Sequence, residues 1–150
     1  MKRLLLLLLL ALPLHAEIRG ALRGGLFASE SHDLVGTAEL DARLGNWALA
    51  PAYEVIRGGY GLHATHIDVR RLFQTDRGTF WIGAGPTFVI STESSEKTFN
   101  IDAGVEWRTK SALEPFIAAR YYSYDLPVFR NSLEATGAVI SVGVSVRLFH

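Results

Sequence analysis

The residues best placed to do chemistry in this sequence are arginines and carboxylates set at even spacing. Asp68 and Arg70, like Glu106 and Arg108, stand two residues apart. On an extended strand that spacing puts both members on one face, where opposite charges pair if the face is withdrawn from water. The same parity gathers Arg19, Arg23, Arg43, Arg70, Arg108, Arg120 and Arg147 with Glu39, Asp41, Glu54, Asp68, Asp102, Glu106 and Glu114. The two signs are equal in number, so a connected, charge-balanced network is available. The Asp68–Arg70 and Glu106–Arg108 pairs are expected at its heart. His66 falls on this face beside Asp68, whereas His63, three residues earlier, points the other way. The two therefore cannot share a metal ion, and no metal site or cofactor is expected. Gly83-Ala84-Gly85-Pro86 lacks the helix that a phosphate loop must cap, so its glycines read as packing positions. There is no cysteine, which excludes disulfides, thiolate metal sites and thiol nucleophiles.

The elements that must position these groups are strands. Apolar residues make up 49% of the 150-residue chain and aromatics 11%, too many for a disordered one. Lys+Arg and Asp+Glu are 15 each, so no charge excess points to nucleic acid. Period-two alternation dominates after residue 16. Ile140, Val142, Val144, Val146 and Leu148 alternate with Ser141, Gly143, Ser145, Arg147 and Phe149, and Phe99 to Arg108 behaves alike. Eight such segments are read, at 18–28, 34–44, 46–57, 61–73, 79–91, 98–109, 112–124 and 137–149. They exceed the usual soluble strand of about 5–6 residues and match the roughly 9–11 needed to cross a bilayer at a tilt. Tight connections at Gly45-Asn46, Thr75 to Gly78 and Thr109 to Ser111 alternate with longer polar ones at 29–33, 92–97 and 125–136. The short connection at Gly58-Gly59-Tyr60 breaks that rhythm.

The face opposite the charges is bulky and apolar, from Leu22 and Leu40 through Ile67, Val69, Ile82 and Ile101 to Val144. An eight-stranded barrel has an interior just wide enough for side chains to fill, so this set belongs outside and the small-plus-charged set inside. Trp47, Phe73, Phe80 and Trp107 at one end, and Tyr53, Phe88, Phe99 and Tyr121 toward the other, are placed as two interfacial girdles. A soluble, lipocalin-like ligand-binding barrel would invert this arrangement. Pro51, Pro86 and Pro115 lie inside segments, all on the outward parity, and each removes a ladder hydrogen bond. They predict bulges, or a weakened seam through which a lipid chain could enter.

Met1-Lys2-Arg3 followed by an apolar run from Leu4 to Leu14 reads as a signal peptide, residues 1–16, cleaved between Ala16 and Glu17. The run is about half of the roughly 20 residues a spanning helix needs. At the other end, Val142, Val144, Val146 and Leu148 keep register toward Phe149 and His150. This resembles the insertion signal of bacterial outer-membrane barrels. Together these features make the chain similar to the small eight-stranded outer-membrane barrels, of the OmpA-like transmembrane-domain and OmpX-like kind. That resemblance implies an all-β, antiparallel up-and-down transmembrane barrel over residues 17–150, in the outer membrane of a Gram-negative envelope. It also implies contact with lipopolysaccharide and phospholipid, recognition of the last strand by the barrel-insertion machinery, and a monomer. The family includes structural anchors, surface-interaction proteins and lipid A modifying enzymes. Lipid A deacylases carry a His-x-Ser pair on the lipid side of a late strand. Here Tyr121 and Ser123 hold those places, and a serine without a base is a weak nucleophile. The expected function is therefore structural or surface-interacting, through loops 92–97 and 125–136. The second contains the apolar run Leu126-Pro127-Val128-Phe129.

Overall fold

A computed structural model describes residues 16–28, 33–57, 62–91, 94–128 and 131–149, with backbone only for 126–128 and 131–135. Its elements are β1 (Glu17–Ala28), β2 (Asp33–Leu44), β3 (Trp47–Arg57), β4 (Leu62–Thr75), β5 (Gly78–Ile90), β6 (Ser95–Trp107), β7 (Leu113–Val128) and β8 (Asn131–Phe149). Each pairs antiparallel with the next, and β1 pairs with β8, closing the barrel. Closure leaves no sheet edge around the wall, which is what a β-structure needs where no water can satisfy backbone groups. The proposed signal peptide, apart from Ala16, lies outside the described residues, as do His15, His32 and His150.

The alternation is realised strand by strand. In β3 every second residue from Ala48 to Ile56 is buried, and Trp47, Leu49, Pro51, Tyr53, Val55 and Arg57 face out. The outer wall is apolar, with Leu22 at 66% exposure and Val142 at 62%. The inner wall holds Glu54, His66 and Asp68 at 0%. This is the reverse of a soluble protein, whose charged groups stay in water. The sequence-derived girdle residues are all outward. Arg71 reaches over the Trp47 ring at 5.1 Å, Phe73 packs on Phe80 at 5.7 Å, and Lys97 sits over Phe88 at 5.8 Å. The tight turns fall where expected. At Gly45-Asn46 the glycine adopts φ +58°, the left-handed conformation a two-residue hairpin turn demands.

Two boundaries differ from the sequence reading. The 92–97 connection is shorter than expected, because β6 begins at Ser95. The 125–136 connection is not a loop: β7 and β8 run on and pair through Asp125↔Glu134 and Val128↔Asn131. Leu126, Pro127 and Val128 belong to β7, and Phe129 lies outside the described residues. Asp125 to Thr136 does not alternate polar with apolar residues, so the sequence pattern does not mark these positions as strand.

The prolines leave a defined mark. Pro51 pairs with Ile67 on β4, but the β2–β3 ladder skips from Glu39↔Ala52 to Ala42↔Leu49. Pro86 pairs with Phe99 on β6, but the β4–β5 ladder skips from His66↔Thr87 to Val69↔Ala84. In both cases the same register resumes, so these are interruptions and not bulges. Leu40, Pro51, Ile67, Pro86 and Phe99 occupy one row around the wall, placing both gaps at one level. At the second gap the Asn100 amide donates to the Gly85 carbonyl at 3.0 Å, giving that oxygen a side-chain donor. Pro115 lies one residue past the last β6–β7 pair, Glu106↔Phe116.

Candidate functional site

The lumen is the site that the sequence pattern nominated, and it is built from the inward parity of all eight strands. At mid-height Arg70 from β4 donates to both carboxylate oxygens of Glu39 on β2, at 2.5 and 2.9 Å. It also donates to Asp102 on β6, at 2.7 and 3.3 Å. Arg120 from β7 donates to Asp68 at 2.6 Å and lies 3.6 Å from Glu54. Arg23 stands 3.5 Å from Glu39. His66 bonds the Thr87 hydroxyl at 2.8 Å and lies 3.7 Å from Glu54. Asn100 donates to Asp68 at 2.8 Å. Toward the chain termini a second group forms, in which Arg19 meets Glu106 at 2.8 Å and also bonds Glu114 and Glu17. Arg43 bonds Asp41 at 2.7 Å and Glu106 at 3.1 Å, and Ser145 donates to Glu106 at 2.5 Å. In this setting charges persist because each has an opposite charge beside it, since an isolated ion in such an interior would cost many kcal/mol. The fit is looser at Arg23, whose Nε and Nη2 have no hydrogen-bond partner among the described residues.

Three corrections follow. Arg108 is exposed beyond the end of β6 and takes no part in the network; its backbone N–H bonds the Arg77 carbonyl at the rim. Arg147 is half exposed and pairs with Glu17 at 2.9 Å, so Glu17 belongs to the network although it was read only as a cleavage position. The two same-strand pairs are also not the heart of it. Arg70 approaches Asp68 only to 3.8 Å, and Glu106 pairs with Arg19 and Arg43. At mid-height the groups that meet best come from different strands across the lumen, whereas toward the termini Arg19–Glu17 and Arg43–Asp41 are same-strand pairs two residues apart.

Sequence reasoning also missed the apolar half of the lumen. Phe27, Val35, Ile56, Leu62, Val89, Tyr122, Tyr124 and Val139 form a cluster capping the ionic layer on the side away from the termini. Phe27 stacks on Tyr122 at 5.4 Å, and the Tyr122 hydroxyl donates to Glu54 at 2.6 Å, tying cap to network. Below, Leu72, Trp81 and Phe116 pack together, and the Trp81 indole donates to Asp102 at 3.0 Å. The signal was available for most of them: all but Val89 and Trp81, whose strand β5 carries no charge, share parity with a charged residue of their own strand. The cavity lined by Arg19, Glu39, Asp41, Arg43, Arg70 and Glu106 has a volume of about 10 Å³, room for about one water molecule. We expect planar-bilayer recordings to show no steady conductance. A stable open level of ordinary porin size would overturn the closed lumen.

The same packing bears on enzymatic readings. Behind the two proline gaps the lumen is occupied by Glu39, Asp41, Asp68 and Asn100, all buried, which leaves no space for an acyl chain there. Ser123 faces outward, and among the described residues no histidine or carboxylate is hydrogen-bonded to it.

A closed, eight-stranded antiparallel barrel with an apolar outer wall, aromatic girdles and a salt-bridged lumen defines the class: this is the fold of the small outer-membrane barrels. No family model and no curated protein matches the chain. Solved structures do. Neisserial surface protein A (NspA) is similar at a TM-score of 0.62 and 12% identity, covering 89% of this chain and 97% of that one. The N-terminal β-barrel domain of Pseudomonas aeruginosa OprF gives 0.59 and 15%, over 86% and 96%. A de novo designed transmembrane β-barrel gives 0.66 and 10%, over 88% and 95%. At such identities the shared property is the fold. The designed protein makes the point directly, because it resembles this chain in geometry alone.

Proposed function

We infer that the chain is exported by a signal peptide cleaved between Ala16 and Glu17 and resides as a monomer in the outer membrane. There it acts as a non-enzymatic structural or surface-interaction protein. Lipopolysaccharide and phospholipid surround its wall, and the insertion machinery reads β8. The observation that carries the interaction role is the β7–β8 ribbon. Pairing of β6 with β7 ends at Asn100↔Tyr122, and pairing of β1 with β8 ends at Ala28↔Ala138. The β7–β8 ladder continues for six more pairs, to Val128↔Asn131. At about 3.3 Å per residue this carries the ribbon roughly 20 Å past those last pairs, and on one side β6 runs beside it as far as Ser95, paired with β5. The Asp125 N–H bonds the Glu96 carboxylate, bracing its base. Among the described residues nothing pairs with the outer edges of 123–128 or 131–137. Unpaired strand edges offer main-chain hydrogen bonds to a partner strand.

The test replaces residues 125–134 by an Asn-Gly turn, keeping the buried Tyr124, and compares cells displaying each protein for adhesion to immobilised serum and extracellular-matrix proteins. Adhesion above empty-vector cells is expected for the intact chain and lost from the shortened one, while the heat-dependent gel shift of a folded barrel persists in both. Equal adhesion of the two displays would overturn the reading.

A further inference from the structure

The outer wall is not uniformly convex. Two adjoining depressions, of about 680 and 590 Å³, run across β8, β1, β2 and β3 and share Leu22, Ala38, Tyr53 and Val144. Both are shallow and open along the outer wall. The floor is made by Gly24, Gly36 and Ala38, and the sides by Leu22, Val142 and Val144 against Tyr53 and Val55.

The floor glycines have no structural reason to be glycine. A Cβ at Gly36 would meet nothing within 4 Å, and one at Gly24 only the Val35 carbonyl oxygen at 3.9 Å. At Gly25, Gly85 and Gly143, by contrast, the nearest atom would lie 2.0–2.5 Å away. Tyr53 leans off the floor. Its ring stacks on His63 at 5.7 Å and 16°, and its hydroxyl bonds His63 Nδ1 at 2.9 Å. His63 is half-buried and stands opposite Val55 in the register. Arg57, two residues beyond Val55 toward the ribbon end, is exposed and has no ion-pair partner among the described residues.

We propose that this trough is a lipid site. It takes one saturated acyl chain of a net-anionic lipid along Gly24, Gly36 and Ala38, and it holds the headgroup phosphate on Arg57 and His63. The assignment rests on the reading of this wall as membrane-facing. Charge complementarity selects the occupant: a second copy of the barrel would bring another Arg57 against this one, whereas a lipid phosphate neutralises it. A cation at the membrane surface contributes about 1 kcal/mol, or roughly fivefold in retention, toward an anionic lipid.

The test is native mass spectrometry of the protein extracted in mild detergent and supplied with dimyristoylphosphatidylglycerol or dimyristoylphosphatidylcholine. The two lipids have identical chains and differ in net charge. The intact protein is expected to retain one phosphatidylglycerol at least about fivefold better than phosphatidylcholine. Arg57→Gln with His63→Gln erases that preference. Lys97→Gln, on the same face two strands from His63, does not. Gly36→Leu, whose Cβ enters open space on the floor of the trough, lowers retention of both lipids.

Equal retention of the two lipids by the intact protein would overturn the site. So would displacement of phosphatidylglycerol by inorganic phosphate, which would mark a simple anion site. A dimer forming at the expense of the lipid adduct would also overturn it. Failure of the barrel reading itself is seen separately, as loss of the heat-dependent gel shift in the intact protein.

Discussion

Arg70→Ala is expected to destabilise the micelle-folded barrel by about 3–5 kcal/mol, the cost of leaving buried charges uncompensated. Arg70 is 2% exposed and is one of the largest fully buried side chains. Its guanidinium holds Glu39 through two oxygens and Asp102 through two more, and it lies 5.3 Å over the Trp81 ring. Compensation by its neighbours is partial: Arg23 and Arg120 approach Glu39 to 3.5 and 3.7 Å, Arg120 is already bonded to Asp68, and among the described residues no other cation pairs with Asp102. Arg147→Ala provides the contrast. Its pair with Glu17 is half in solvent, and exposed pairs are worth about 0–1 kcal/mol. Removing the charges together separates ionic from packing effects. Arg70→Met combined with Asp102→Asn should recover most of the loss, because Asp102 is then uncharged and Glu39 keeps Arg23 and Arg120 beside it. Urea midpoints in micelles, at constant slope, read all three. A midpoint for Arg70→Ala no lower than that for Arg147→Ala would show that the network does not stabilise the barrel.

The contrast also explains what could be read from the sequence and what could not. Period-two alternation is a local property, and a strand buried against one environment on each face displays it directly. The eight strands, the outward wall, the girdles and the lumenal parity were therefore legible from Leu22, Ile67 or Val144 and their neighbours. Partnership across a lumen is not local. Arg70 and Glu39 come from strands separated by β3, and only the closed circumference brings them together. The spacing of Asp68 and Arg70 suggested a pair, whereas the geometry sends Arg70 across the barrel. Arg108 was misplaced for a related reason: parity continues past the end of β6, but the lumen does not. The apolar cap was missed because Phe27, Tyr122 and Tyr124 look like outward residues by type, and only their parity with Arg23 and Arg120 marks them as inward. The 125–136 stretch was read as loop because it does not alternate polar with apolar residues.

Two glycine-to-alanine substitutions should have opposite signs, and the proline row explains why. Gly36→Ala enters open space on the outer wall. With no clash to offset it, reduced freedom of the unfolded chain should stabilise the barrel by about 0.4–1 kcal/mol. Gly85→Ala enters the β4–β5 gap beside Pro86. There the added Cβ would fall 2.0 Å from the Ile67 carbonyl oxygen, 2.8 Å from its carbon and 3.0 Å from the Asp68 Cα. All three are backbone atoms, so no rotamer change relieves the contact. Proline has no N–H to hold β4 at ladder distance, and the β4 backbone instead lies close over residue 85, a position only glycine tolerates. Separating the strands would also pull the Gly85 carbonyl from Asn100, and with it the amide that bonds Asp68 and Thr87. The cost should reach about 3 kcal/mol or more, at or above the upper end for overpacking. The measurement is again the urea midpoint in micelles, with the heat-dependent gel shift reporting whether a barrel forms. If Gly85→Ala folds as stably as Gly36→Ala, the strands at the proline row are not in close approach. Pro86 would then be a surface accommodation with no consequence for the register of β4 and β5.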